Sequence, residues 1–354
     1  MKTILREPMI LIVPIEPIDQ RYTLQWYTDI PKTLKERNVQ VRVIAGDQLK
    51  SGTSSGAFLD FGATNYYKAS QVRAISDLFM KGAIQPGDKF LVTDAWNFAI
   101  TAIRYMSDLL EIPVEIHGIW HAGSYDPTDI LGMKMQKPWP WYQETAWFHA
   151  CDFNYFATEF HANMFIRNLD INPSYKNKII ISGQPHEVMV QAMDRYQNSS
   201  KKKQVIWPHR YNADKQPGIA ADLQSSMNTD WIITQKLNLN KNEFYTAMAQ
   251  SQVIFSCSLH ENCGISVMEA VLLGTIPVLP DRCSYSEMYL PEFLYPSNWT
   301  ITPESYEKHK QELIDFINHR LQNPEYYADV MQRQRQILLD KYLNAAVMYD
   351  KLCS

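Results

Sequence analysis

Residues 260–270 read His-Glu-Asn-Cys-Gly-Ile-Ser-Val-Met-Glu-Ala and hold the densest set of reactive side chains in the sequence. Two carboxylates, Glu261 and Glu269, stand on either side of Gly264, and at face value they are an acid and base pair. Their flanks point elsewhere. Residues 253–258 form a short apolar run of strand character. Ile265, Met268, Val271 and Leu272 fall at helical spacing, and Gly274 precedes a second apolar run at 275–280. Strand, tight loop, helix and strand, with polar groups gathered at the loop, is the place where an open parallel sheet binds ligands.

A helix that starts near Gly264 leaves its first amides without intrahelical partners and turns the positive end of its dipole to the loop. Such an end suits phosphate. Glu269, one turn further on, leans back toward the same end. A carboxylate does not neutralise phosphate, so its ligand is a neutral hydroxyl, such as that of a ribose or hexose. Glu261, in the loop, reaches the other end. A molecule with phosphates in the middle and sugar hydroxyls at both ends, a nucleotide-diphosphate sugar, fits this arrangement. A plainer account stands beside it, in which Glu269 complements its helix dipole and Glu261 is a solvated loop residue.

The spacing of Glu261 and Glu269, with Ala270 next and then Gly274-Thr-Ile-Pro-Val278, resembles the E-x7-E signature of retaining glycosyltransferases of the GT-B fold. The wider string, from Ser258-Leu-His-Glu to Pro280-Asp-Arg-Cys-Ser-Tyr-Ser-Glu287, is similar to the tRNA-queuosine mannosyltransferase-like branch and to related glycosyltransferases of large tailed phages. That resemblance implies an α/β chain of two Rossmann-like parallel-sheet domains facing a central cleft. The donor lies on the C-terminal side and the acceptor on the N-terminal side. It puts the second glutamate on the donor ribose and the first near the donor sugar. The donor-binding residues are then His209, Arg210, Lys215, His260, Glu261, Cys263, Gly264, Ile265, Ser266 and Glu269. Arg210 and Lys215, in the segment after Trp207, match the pair that neutralises the diphosphate. Catalysis falls to His121, Glu261, Arg210 and Lys215. His121 is preferred to His117, and His186 is a weaker candidate still. In such retaining enzymes the departing phosphate accepts the acceptor's proton, so no separate base is needed.

The first loop departs from that pattern. Residues 14–26 carry no glycine-rich turn, and Arg21, Tyr22, Gln25 and Trp26 are instead available for an acceptor. Tyr22 and Trp26 can equally pack the first helix. Residues 122–142 interleave Lys134, Lys137, Trp139, Trp141 and Tyr142, which suits a nucleic-acid backbone with a base stacked or flipped beside it. They equally suit a loop folded onto its own domain. The resemblance implies a hydroxyl of nucleic acid as acceptor, first a hydroxymethylated cytosine in phage DNA, because residues 16–26 look phage-like, and then queuosine in tRNA. A small-molecule or glycan acceptor ranks below both. A non-catalytic nucleotide-sugar-binding module is the reading from another class. A UDP-sugar is preferred to a GDP-sugar as co-substrate.

These residues need a scaffold, and 354 residues are enough for two domains. Candidate strands at 9–13, 39–44, 89–93, 114–119, 153–157 and 178–181 alternate with helical stretches such as 69–81 and 98–110, in a βαβ rhythm. A second series follows at 204–207, 231–233, 253–256, 275–279 and 293–295. The polar run Ser199-Ser-Lys-Lys-Lys203 reads as a linker. The domains expected are 1–200 and 201–325, with 326–354 as a helix that crosses back to the first domain. A net charge of -4 is not the footprint of a protein that coats nucleic acid, although a local basic face remains compatible with it. Five scattered cysteines lack metal-ligand spacing and fit reduced thiols in a cytoplasm. No apolar run reaches membrane-spanning length, and the first eight residues are too charged and short for a signal peptide. With no Asp-x-Asp motif at a strand end and no His/Cys cluster, a metal is not required.

Overall fold

The computed structural model describes residues 6–18, 21–49, 60–196, 199–237 and 239–354. Most of the segment weighed as a signal peptide, and Asp19 and Gln20 of the first loop, therefore lie outside the described residues. The chain divides into two compact units. One comprises Met1–Ala157, His161–Pro185 and Ala345–Ser354, and the other Thr158–Phe160 and His186–Asn344.

In the first unit, β1 (Ile10–Val13), α1 (Tyr22–Glu36), β2 (Val41–Val43), α2 (Phe61–Met80), β3 (Lys89–Val92) and α3 (Ala99–Leu109) come first. They are followed by β4 (Glu115–Ile119), α4 (Ile130–Lys134), α5 (Pro138–Ala150), β5 (Phe153–Phe156), α6 (Glu159–Asn168) and β6 (Ile179–Ile181). All six strands run parallel, in the order β2-β1-β3-β4-β5-β6. Central strands of such a sheet are covered on both faces, which is why β1 reads Ile-Leu-Ile-Val and is buried throughout. Successive strands step outward from β1 in opposite directions, so the sheet switches between β1 and β3, and the loops after those strands diverge there.

The second unit holds α7 (Glu187–Met193), β7 (Lys202–Trp207), α8 (Pro217–Ser226), β8 (Asp230–Ile233), α9 (Lys241–Gln250), β9 (Ser251–Phe255) and α10 (Ile265–Leu272). Then come β10 (Ile276–Pro280), α11 (Tyr285–Met288), β11 (Leu294–Tyr295), α12 (Pro303–Gln322) and α13 (Ala328–Ile337). Its five parallel strands lie in the order β11-β10-β9-β7-β8, with the switch between β7 and β9. Both sheets match the alternation expected from sequence.

Three details differ from expectation. The lysine run is structure, not linker. Lys201 donates from Nζ to the carbonyls of Ser251 and Leu273 and to Thr275 Oγ, all within 3.0 Å, and β7 begins at Lys202. A lysine stem can cross apolar surface while its ammonium caps carbonyls, which charge counting does not reveal. The units divide between Pro185 and His186, ahead of that run. The stretch after residue 325 is not one helix either, since a π-helical turn at Leu338–Tyr342 follows α13 and the chain restarts as α14 (Ala346–Cys353). Met348, Tyr349 and Leu352 of α14 join the core formed by β1, α1, β3 and β4, and Arg37 pairs with Asp350 at 2.7 Å.

Candidate functional site

The loops after β7 and β9 meet at the switch point of the second sheet, and together with α10 they carry all the residues expected to bind the donor. Gly264 makes the turn between β9 and α10 with φ +72°, a left-handed conformation that favours glycine. A Cβ there would also lie 3.0 Å from the Tyr285 ring. The turn brings Glu261 back over the start of α10, where its Oε1 accepts from the Gly264 amide at 3.0 Å. Ile265 and Ser266 supply the first amides of the helix, which have no carbonyl one turn behind them.

Lys215 arrives from the other loop. Its Nζ donates to the His260 carbonyl at 2.5 Å and to Glu261 Oε2 at 3.1 Å, and it pairs with Asp214 at 3.3 Å. Three oxygens thus surround one ammonium, so Lys215 holds Glu261 in place. Burial would raise the Glu261 carboxyl, but Lys215, with His209 and His260, outweighs it and holds the group down at about 2. Glu261 is therefore an anion at any working pH, not the protonated half of an acid and base pair. His209, tucked edge-on against Trp207, is pushed down to about 3 by burial and by Lys215, and it stays neutral. Its Nε2 is buried with no hydrogen-bond partner among the described residues. Arg210, its side chain 36% exposed, pairs with Asp214 at 3.5 Å and is the more accessible cation.

Glu269 is buried in α10, with its Oε1 accepting from Lys241 at 3.0 Å and from Tyr245 at 2.8 Å. Both partners lie on α9, and sequence spacing did not reveal them. Arg282 was also missed as a functional residue, although it lies in the motif. Its guanidinium donates to the carbonyls of Cys257, Ser258 and Ser297 and to Thr300 Oγ1, all within 2.9 Å. It fixes the backbone that leads into Glu261. Cys263 is buried, and burial pushes its thiol up, so it packs as a small apolar group. Among the described residues no group of three or more His, Cys, Asp and Glu could hold a metal ion.

The other candidates belong to the first unit. His121 follows β4 and its Nε2 is 2.8 Å from the Thr93 carbonyl, with burial holding its pKa down. Its ring lies 5.0 Å from that of Trp26 and 5.9 Å from that of Tyr22. His117 is instead locked within β4 between Tyr155 at 2.7 Å and Glu115 at 2.6 Å. Trp26, at 1% exposure, belongs to the core, so no face is left for stacking an acceptor. Arg21 and Gln25 are half-buried beside it on the same turn. His186 is buried at the start of α7. Lys134, Lys137 and Trp139 are exposed around the junction of α4 and α5. Among the described residues no helix is long and apolar enough to cross a membrane.

No protein-family model matches the chain. The tRNA-queuosine alpha-mannosyltransferase of Drosophila melanogaster is 25% identical over 130 residues, covering 29% of this chain and 34% of that protein. The match thus spans about a third of the fly protein. Among solved structures, the sucrose-phosphate synthase of Thermosynechococcus elongatus superposes with a TM-score of 0.64 at 10% identity, over 98% of this chain and 97% of its own. An alpha,alpha-trehalose-phosphate synthase (UDP-forming) from Burkholderia vietnamiensis gives 0.61 at 12% identity, covering 98% of each chain. Anabaena HepE in complex with UDP and glucose gives 0.58 at 14% identity, again over 98% of each. The fold is that of GT-B glycosyltransferases.

Proposed function

We propose that this chain is a retaining glycosyltransferase that takes a nucleotide-diphosphate sugar, a UDP-sugar before a GDP-sugar, and passes the sugar to a hydroxyl of nucleic acid. The observation that carries this reading is the convergence of Arg210, Lys215, Glu261 and the first amides of α10 at the β7/β9 switch point. Arg210 and the helix end bind the diphosphate, whose charge grows as the glycosidic bond breaks. Lys215 keeps Glu261 ionised and aimed, so that Glu261 accepts from a donor-sugar hydroxyl. The second oxygen of Glu269 accepts from the ribose. The charge of the leaving diphosphate is met by these groups without a resident metal. HepE, in complex with UDP and glucose, and the UDP-forming trehalose-phosphate synthase support a UDP donor.

Two acceptors are in view. Hydroxymethylated cytosine in phage DNA is supported by the phage-like sequence of residues 16–26. Queuosine in tRNA is favoured by the name of the fly relative. The test is free-nucleotide release from a panel of UDP- and GDP-sugars in the presence of EDTA, with hydroxymethylated DNA, tRNA, a small glycan or no acceptor. Release stimulated by one of the two polymers is the expected result and names the acceptor. Stimulation by the glycan alone overturns the nucleic-acid reading. Donor binding with no transfer to any acceptor leaves a nucleotide-sugar-binding module.

A further inference from the structure

We infer that a cavity in the first unit is the pocket for a single flat nucleobase of the acceptor, an inference that rests on the nucleic-acid reading above. The cavity measures about 250 Å³ and is walled by Phe61, Trp96, Phe98, Trp139 and Trp147. It lies beyond the carboxyl edge of the sheet. Trp96 and Phe98 follow β3, Phe61 opens α2 after β2, and Trp139 and Trp147 belong to α5 after β4. Ligands of open parallel sheets sit on that edge.

The walls are pre-set. Lys68, buried and paired with Asp94 at 2.8 Å, donates to the Trp96 carbonyl and stands 4.5 Å from the centre of the Trp96 ring. Trp147 meets Trp96 at 6.1 Å and Phe98 at 5.8 Å, both edge-on. Walls of indole and phenyl suit a planar ring, because every base has a π face to stack, and the almost wholly apolar lining holds such a ring by its face and not by its edge.

At the mouth, Lys134 lines the cavity and Lys137 stands exposed nearby. Helix α5 opens Pro138-Trp-Pro140, so two of its first three residues have no N–H to offer a phosphate, and the lysines take that part.

The test uses the full chain and fluorescence anisotropy with short labelled single-stranded DNA, RNA of the same sequence, and the DNA made abasic. The wild type should bind base-bearing strands roughly tenfold more tightly than abasic ones. Trp139→Ala should abolish that preference and Trp139→Phe should keep most of it. Lys134→Ala should weaken base-bearing and abasic strands alike. Trp139 is 57% exposed, and an unchanged melting temperature shows that the variant folds. Equal wild-type affinity for abasic and base-bearing strands, or a preference that survives Trp139→Ala, overturns the pocket. No binding of any strand overturns the nucleic-acid acceptor with it. UDP-sugar binding by the wild type, measured separately, tests the donor reading independently of these outcomes.

Discussion

Lys215 directs its charge inward. With three oxygens within 3.3 Å it organises Glu261 and the His260 backbone, and the proposed reading assigns the more exposed Arg210 to the diphosphate. Arg210→Ala should therefore slow turnover roughly 10- to 100-fold, at about 1.5–3 kcal/mol for a charge-assisted hydrogen bond, with acceptor affinity little changed. Steady-state kinetics with separate acceptor titrations check this, and a larger loss in acceptor binding than in turnover would move Arg210 to the acceptor side. That Glu261 sits in the turn before a helix carrying Glu269 was legible in the sequence, because a short loop and one helix turn set that spacing, and the resemblance had put Arg210 and Lys215 beside them. Lys241, Tyr245 and Arg282 were not, since their roles arise only when α9 and the segment after β10 pack against the β9 loop. His117 and His121 illustrate the same limit, because their different surroundings are set by Tyr155 on β5 and Trp26 on α1.

At the scale of elements, α5 carries an ionisable group under constraint. Glu144 accepts from the Ser124 amide at 2.6 Å and from its hydroxyl at 2.8 Å, and burial still raises the carboxyl from 4.5 to about 7. A carboxyl with a raised folded pKa contributes stability that is fully present below about 4.5 and is lost as pH rises through about 7. The shift corresponds to on the order of 3 kcal/mol. Melting curves from pH 4 to 8 should show the wild type losing stability relative to Glu144→Gln across that window. A constant difference between the two would refute the constraint. The parallel strands were easy to read because strands buried on both faces appear as unbroken apolar runs. The segment 199–203 and the broken C-terminal helix were harder, because a buried Lys201 and a π-helical turn obey tertiary packing and not local composition.

For the whole molecule, net charge and composition bounded the class, while the two sheet orders mark the switch points at which open parallel sheets bind ligands. Each sheet reverses direction beside its first strand, and each reversal gathers loops rich in polar or aromatic residues. The fold was legible from the βαβ rhythm together with the glutamate motif. The aromatic cavity was not, since its walls come from segments after three different strands. The central claim is a nucleotide-sugar site at the β7/β9 switch point. Calorimetric titration of UDP, UDP-sugars and GDP-sugars into the wild type and Glu269→Ala tests it most directly. At least one UDP-sugar should bind saturably and one-to-one, and Glu269→Ala should weaken that binding roughly tenfold or more. The absence of binding by every nucleotide sugar, or an affinity that Glu269→Ala leaves unchanged, would contradict it.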